Sequence, residues 1–420
     1  QEMGVAAIGA NCSVGPEPLC GVMEQMAAVA EVPLSVQPNA GFPAYQGGQL
    51  VYLASPEYMA DRARYMAGLG VRLIGGCCGT TPEHIQSIKT SLLATDGIHE
   101  VRTPVTVREV PKPDVPMAKV SPTGFADRLE NKKFIVTVEV DPPRGFDIRP
   151  TIASLADVEG IVHAVNVADN PRAQGRMGAL AACSLIQGQL GIETIMHMAV
   201  RHRNLLALHS DLLGAHALGV QNIFTIMGDV PRIGDYPQAT AISDTTPSGL
   251  VRLINAFNRG GDPAGRPLEQ ATSFTVGSAF NFGARDIDQE LRVMERKVAA
   301  GAHYLMSQPV YDPEIVEQVA RRIGGFPVPL ILGILPLRSL RHAKFLDNEV
   351  PGISIPVNVL EKLEKPGVDA QQIGLSVSRE VLRELLPLIG GAYFIPPFGR
   401  FRIVQETLEG LSIQNLEKEV

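Results

Sequence analysis

No apolar run in this sequence reaches the ~18 residues that a membrane-spanning helix needs. The N-terminus shows no basic stretch followed by an apolar one, which argues against a targeting segment. Positive charge is not in excess either. The 37 Lys and Arg stand against 44 Asp and Glu, a net charge of -7, so neither nucleic acid nor an anionic membrane is an expected partner. Cysteines are few, odd in number and unevenly spaced (Cys12, Cys20, Cys77, Cys78, Cys183), which argues against a secreted disulfide framework. A reduced compartment, the cytoplasm, is expected. No GxGxxG follows the first strand candidate of the longer segment, which weakens a doubly wound dinucleotide-binding sheet.

What is present is a chain of 420 residues, 45% hydrophobic and 19% charged, long enough for two or three globular domains. Composition breaks once. Residues 96–131 carry Pro104, Pro111, Pro113, Pro116 and Pro122 among alternating charges and read as a linker. Residues 1–95 and 132–420 are then separate units.

The longer unit alternates strand and helix patterns. Strands are predicted at "FIVTVEV" (134–140), "VHAVNVAD" (162–169), "ETIMHMAV" (193–200) and "NIFTIMGD" (222–229). Four more follow at "SFTVGSAF" (273–280), "YLMSQPV" (304–310), "PLILGIL" (329–335) and "GAYFIP" (391–396). Between two of them, Ile287, Leu291, Met294 and Val298 share one helical face. Eight such strands predict a (β/α)8 barrel, with an open doubly wound sheet as the rival. The shorter unit has three strand candidates, "GVAAIGA" (4–10), "PLSVQPN" (33–39) and "VRLIGG" (71–76). Three strands cannot close a barrel, so this unit is expected to be the last three βα units of a second barrel that begins before the first residue.

Chemistry concentrates at strand ends. Cys12 follows the first short strand, and Cys77 with Cys78 follows the third, within "IGGCCGTT". Strand C-termini of a βα barrel open onto one face, so the three thiols are expected to converge. Thiolates suit Zn²⁺, and three protein ligands leave a fourth position for substrate. A cysteine pair alone reads more readily as buried small residues, and that reading is kept for Cys20 and Cys183. "GANCSVGP" (9–16), "QPNAGFP" (37–43) and "GGCCGTTPEHI" (75–85) resemble, in order, the last three βα units of the zinc-dependent homocysteine S-methyltransferases. The resemblance implies Cys12, Cys77 and Cys78 as zinc ligands and homocysteine as substrate.

In the longer unit, alternation puts Val136, Val138 and Val140 on one side of the first strand and Ile135, Thr137 and Glu139 on the other. Glu139 is therefore expected at the barrel mouth, where a desolvated carboxyl can act as a general acid or simply form a rim ion pair. His197, inside a strand, reads first as a satisfied core histidine. Asp229, after Gly228, reads equally as a helix cap. Gln308 is expected to be a buried amide in need of partners. Arg296 and Lys297 sit late in a helix, where cations are favoured, and as a pair they also suit a pyrophosphate.

Together "EVDPP", "VNVADNP", "IMHM", "TIMGD", "AGAHYLMSQPVYD", "GILP" and "FIPPFGR" resemble the methylenetetrahydrofolate reductase family over residues 132–410. The resemblance implies a (β/α)8 barrel holding FAD, with NAD(P)H and a folate as substrates. It assigns Glu139 as catalytic acid and Asp229 to the flavin and folate. It places Gln308 on the pterin, and His197, Arg296, Lys297 and Ala302 around FAD. Glu290 and Val293 depart from the Asp and Asn of better-known bacterial members, and Leu335 replaces a ligand-stacking Phe. The expected whole is an enzyme fusing the reductase to a methionine-forming methyltransferase, with small molecules as partners and homo-oligomerisation left open. The rival readings are a catalytically silent flavin- or folate-binding partner subunit and a metal-only methyltransferase fragment. The presence of both Glu139 and Asp229 argues against the silent subunit.

Overall fold

The computed structural model describes residues 4–41, 43–46, 49–94 and 123–411. It divides into two compact units, residues 1–114 and 115–420. In the first, strands β1 (Ile8–Asn11) and β2 (Leu34–Gln37) are followed by β3 (Pro43–Gln46), β4 (Gln49–Tyr52) and β5 (Val71–Ile74). β1, β2 and β5 form a parallel sheet in that order. These are the three predicted strands. The antiparallel β3–β4 hairpin was not foreseen. Leu19, Met23, Leu34, Val36, Met66 and Val71 pack the core between sheet and helices. The helices start where capping chemistry puts them. Ser55 Oγ accepts the Tyr58 N–H at 3.3 Å, and Pro56 occupies the first turn, where no N–H is missed.

In the second unit the eight predicted strands all form: β6 (Ile135–Val140), β7 (Ala164–Val167), β8 (Thr194–Ala199), β9 (Asn222–Ile226), β10 (Thr275–Phe280), β11 (Tyr304–Pro309), β12 (Leu330–Ile334) and β13 (Gly391–Phe394). All neighbours are parallel, and β13 pairs with β6 to close the barrel. The open doubly wound sheet is excluded. Alternation along each strand sorts side chains into two cores. Val136, Val138 and Val140 join the core under the surrounding helices. Ile135, Ala164, Ile195, Phe224, Tyr304, Met306, Ile331 and Tyr393 fill the barrel interior. Gly277 on β10 makes room there. A Cβ on it would lie 2.2 Å from the Tyr304 ring.

The linker expectation needs correcting at its end; residues 95–122 lie outside the described residues. Gly124–Glu130, expected as linker, is a helix belonging to the barrel. Thr123 Oγ1 accepts the Ala126 N–H at 3.0 Å and donates to Asn222 Oδ1 at 2.9 Å. The Glu193 carboxylate accepts the N–H groups of Gly124 and Phe125 at 2.5 and 3.1 Å, placing negative charge on the helix N-terminus. Phe125, fully buried, meets Tyr304 edge to face at 5.2 Å and plugs the end of the barrel opposite the strand C-termini. Phe125→Ala should therefore cost the barrel about 3–5 kcal/mol, read as a lowered midpoint of its transition in denaturant.

Candidate functional site

Two clusters of chemistry-bearing side chains stand at strand C-termini, one in each unit. In the first unit, the Sγ atoms of Cys12, Cys77 and Cys78 lie within 4.8 Å of one another. Cys78 Sγ is 3.8 Å from Cys12 Sγ and 3.9 Å from Cys77 Sγ. A tetrahedral ion with Zn–S bonds of about 2.3 Å requires sulfurs about 3.8 Å apart, so the donor set fits Zn²⁺. The backbone holds this spacing. Cys12 adopts φ 61°, a left-handed turn that directs its side chain off the end of β1. Buried Asn39 accepts the Cys78 N–H at 3.1 Å, and its own N–H reaches the Val14 carbonyl at 3.1 Å, tying all three loops. Gly79, at φ +76°, lets Tyr52 lie against the turn, for a Cβ there would be 2.3 Å from the Tyr52 side chain. Hydrogen bonds, from the Ser13 backbone first and then from Cys77 and Cys78, hold the Cys12 thiol below its ordinary pKa. Cys20 and Cys183 are buried core residues.

In the second unit, Glu139 on β6 points into a cavity of about 710 Å³ at the barrel mouth. Arg172, Arg176, Leu335, Arg338, His342 and Phe401 also line it. Tyr393 on β13 donates its hydroxyl to Glu139 Oε2. Burial, with a smaller push from the negative charge of Asp141, raises the Glu139 carboxyl to about 8. Arg176 pairs with Asp141 at 3.2 Å and donates to the Pro142 carbonyl at 2.7 Å, which fixes this lip. That shift favours the protonated carboxyl at neutral pH.

His197 is buried on β8, with Nε2–H donating to Asn166 Oδ1 at 3.1 Å and its ring 4.9 Å from Phe224. Burial lowers its pKa to about 4, so it is neutral at physiological pH. Asp229 is exposed, and its carboxylate accepts the Arg172 N–H at 2.7 Å instead of capping a helix. That bond spans the loops after β7 and β9, and the β7 loop holds Asn170, Arg172 and Ala173 at positive φ. A second cavity of about 220 Å³ lies beside it, lined by Asn170, Arg201, His202 and Tyr236.

Other expected site residues fall differently. Gln308 is exposed, not a buried amide. It follows the inward-facing Tyr304 and Met306, but the β11–β12 register shifts between Met306 and Pro309, carrying it past the packed interior. Lys297 turns inward, donating to the Ala279 carbonyl at 2.5 Å with Glu290 3.9 Å away, while Arg296 is exposed. The two do not present adjacent cations. Ala302 is buried just before β11, at the end of the barrel opposite the mouth. Tyr393, Asn166, Arg176 and the Arg338–His342 pair were missed by sequence reading. For Tyr393 the signal was an aromatic residue at an inward position of the strand neighbouring Glu139.

A closed parallel barrel with a carboxyl facing a cavity at its mouth has the layout of a TIM-barrel enzyme. The methylenetetrahydrofolate reductase family model matches residues 124–389, and the chain belongs to that family. Residues 1–92 match the homocysteine S-methyltransferase model, so the chain joins the two domains. The methionine synthases of Mycobacterium leprae (strain TN) and Mycobacterium tuberculosis (strain ATCC 25618 / H37Rv) are each 37% identical over 93 residues. That stretch is 22% of this chain and spans only 8% of those proteins. Among solved structures, an uncharacterized Clostridium thermocellum protein binding two copies of 5-methyl-5,6,7,8-tetrahydrofolic acid has a TM-score of 0.47 at 15% identity, covering 70% of this chain and 99% of that one. A 2,3-dimethylmalate lyase has a TM-score of 0.39 at 13% identity, covering 71% and 85%. No helix among the described residues is long and apolar enough to cross a membrane.

Glu139 also sets a pH dependence of stability. Its folded pKa, about 8, lies above its ordinary value of 4.5. Between those values the folded state binds more protons than the unfolded one, so this group's contribution to stability falls as pH rises and levels off above about 8. Glu139→Gln should remove that slope, and denaturant midpoints of the two proteins measured from pH 5 to pH 9 should converge at the acid end.

Proposed function

We propose that the second unit reduces methylenetetrahydrofolate to methyltetrahydrofolate with FAD and NAD(P)H, and that Glu139 is its proton donor. The observation that carries this reading is the half-buried carboxyl, raised to about 8 by desolvation, facing a 710 Å³ cavity in a barrel of the reductase family. The fit of FAD to the mouth is supported by the two cavities and by the buried Asn166 Nδ2 and His202 Nδ1, which have no hydrogen-bond partner among the described residues. We assign His197, Asp229 and Arg296 to the cofactor, with Lys297 positioning the strand end through Ala279; buried Ala302 is left out. When bound, FAD reduced by NAD(P)H supplies the hydride.

The remaining work falls to the chain. The folate's five-membered ring opens by breaking one C–N bond, and the departing nitrogen takes the Glu139 proton. The electron pair of the second nitrogen forms the iminium that accepts the hydride at its methylene carbon. The Asp229 carboxylate supplies negative charge beside that cation, and Gln308 offers its amide to the pterin from the rim. Flavin reduction needs no protein acid, so the two half-reactions separate. Glu139→Gln should leave FAD content and bleaching by NAD(P)H unchanged and slow reoxidation by methylenetetrahydrofolate at least ~10²-fold in stopped flow. Loss of FAD would make Glu139 structural; two fast half-reactions would place the acid elsewhere. A yellow wild-type chain running neither half-reaction would be a silent flavin-binding subunit.

For the first unit we propose that Cys12, Cys77 and Cys78 hold Zn²⁺, whose fourth position takes the homocysteine thiol. Bound there, the ion lowers the thiol's pKa and makes it the nucleophile for a methyl group. Asn39 and the left-handed turn at Cys12 hold the three donors at ion-binding spacing. The full chain should take up about one equivalent of zinc or cobalt, with thiolate-to-cobalt absorption lost in Cys78→Ser. Unchanged metal uptake in all three single Cys→Ser proteins would overturn the assignment.

A further inference from the structure

We propose that Tyr393 is the positioning residue of the proton donor: its hydroxyl, given to Glu139 Oε2, assigns the acid's proton to Oε1, the oxygen left free for the cavity. The inference deepens the assignment of Glu139 as acid and rests on it. It starts from barrel closure. Tyr393 is the register partner of Thr137, two residues below Glu139 on the adjoining strand. Its ring stays inside the barrel, 5% exposed and 6.4 Å from the His197 ring, while its hydroxyl rises to the carboxyl.

A neutral carboxyl has one carbonyl oxygen and one hydroxyl oxygen, and the carbonyl is the better acceptor. Because Oε2 receives the phenol hydrogen, the carbonyl is Oε2 and the hydroxyl is Oε1. The bond persists when the acid ionises and is then stronger, because the acceptor carries charge. Tyr393 therefore favours the carboxylate and holds back the rise that burial produces. The other groups around Glu139 are the Asp141 carboxylate on its own strand, Arg176 paired to Asp141, and Arg172, Arg338 and His342 on the cavity wall. On the interior side stands His197, neutral at these pH values. Among the described residues, Tyr393 is a hydrogen-bond partner of the Glu139 carboxyl, reaching it from the adjoining strand.

The test follows Glu139 itself. In purified full chain, infrared difference spectra across pH 6–10 should show a protonated-carboxyl stretch that Glu139→Gln removes. In wild type it should fade around pH 8. In Tyr393→Phe the stretch should move to higher frequency, because its carbonyl loses a donor, and its midpoint should rise by about one pH unit. Reoxidation of reduced flavin by methylenetetrahydrofolate should slow about tenfold in the same protein, with its alkaline limb moved upward, while bleaching by NAD(P)H stays at the wild-type rate. Tyr393→Leu, which also lacks the hydroxyl, carries the test if the phenylalanine protein does not fold. An unchanged stretch and midpoint in the folded variant would overturn the positioning role and leave Glu139 as acid. A stretch that survives Glu139→Gln would instead overturn the acid assignment itself.

Discussion

Closure of the barrel by the β13–β6 pair is the constraint on which the mouth depends. Register fixes Tyr393 opposite Thr137, and the period of two then sets Glu139 one layer higher on the same inward side. Only a closed sheet brings the last strand beside the first. A slip of one residue on β6 would send Glu139 among the helix-facing valines, and a slip of one on β13 would turn Tyr393 away from it. The helix Gly124–Glu130 supports the same closure from the other end, since Phe125 seals the interior under Tyr304. Local and long-range pieces therefore converge on one carboxyl.

That carboxyl shows how competing terms make an acid usable near neutral pH. Desolvation alone raises it, and the Asp141 charge raises it further. Arg176, bound to Asp141, partly neutralises that charge. A fully apolar pocket would hold the proton too tightly to give it away; an open rim would leave none to give at pH 7. Lys297 illustrates the opposite resolution of burial. Its ammonium is desolvated, and the Ala279 carbonyl and Glu290 satisfy it instead of a ligand. Glu290 also accepts the Asn281 N–H at 3.2 Å.

Much of this was legible in the sequence because strand alternation is a local signal. All eight barrel strands and the inward side of Glu139 follow from runs such as "FIVTVEV". Convergence of the three cysteines follows from the rule that strand ends share a face, and the sulfurs do meet. What escaped depends on contacts distant in sequence. Tyr393 is 254 residues from its partner, and no local pattern links them. The helix at Gly124–Glu130 has only seven residues beside a proline-rich stretch, and its stability comes from Glu193, Asn222 and Tyr304 rather than from its own periodicity. Gln308 was misread because alternation gives the direction of a side chain but not the height at which the packed interior ends.

The two units also differ in how their sites are held. In the barrel, side chains on rigid strands set the geometry, and their spacing is a consequence of the register. In the first unit, loops carry the three thiols, and backbone conformation does the positioning: a left-handed Cys12, a glycine beside Tyr52, and Asn39 bridging the turns. Three thiolates at this spacing suit the proposed Zn²⁺ because a tetrahedral ion can complete its shell with a fourth ligand. Proton donation has no such organiser. An acid must already point at its acceptor before the reaction begins, and in the proposed reading that positioning falls to a hydrogen bond between two strands that the barrel cannot separate without opening.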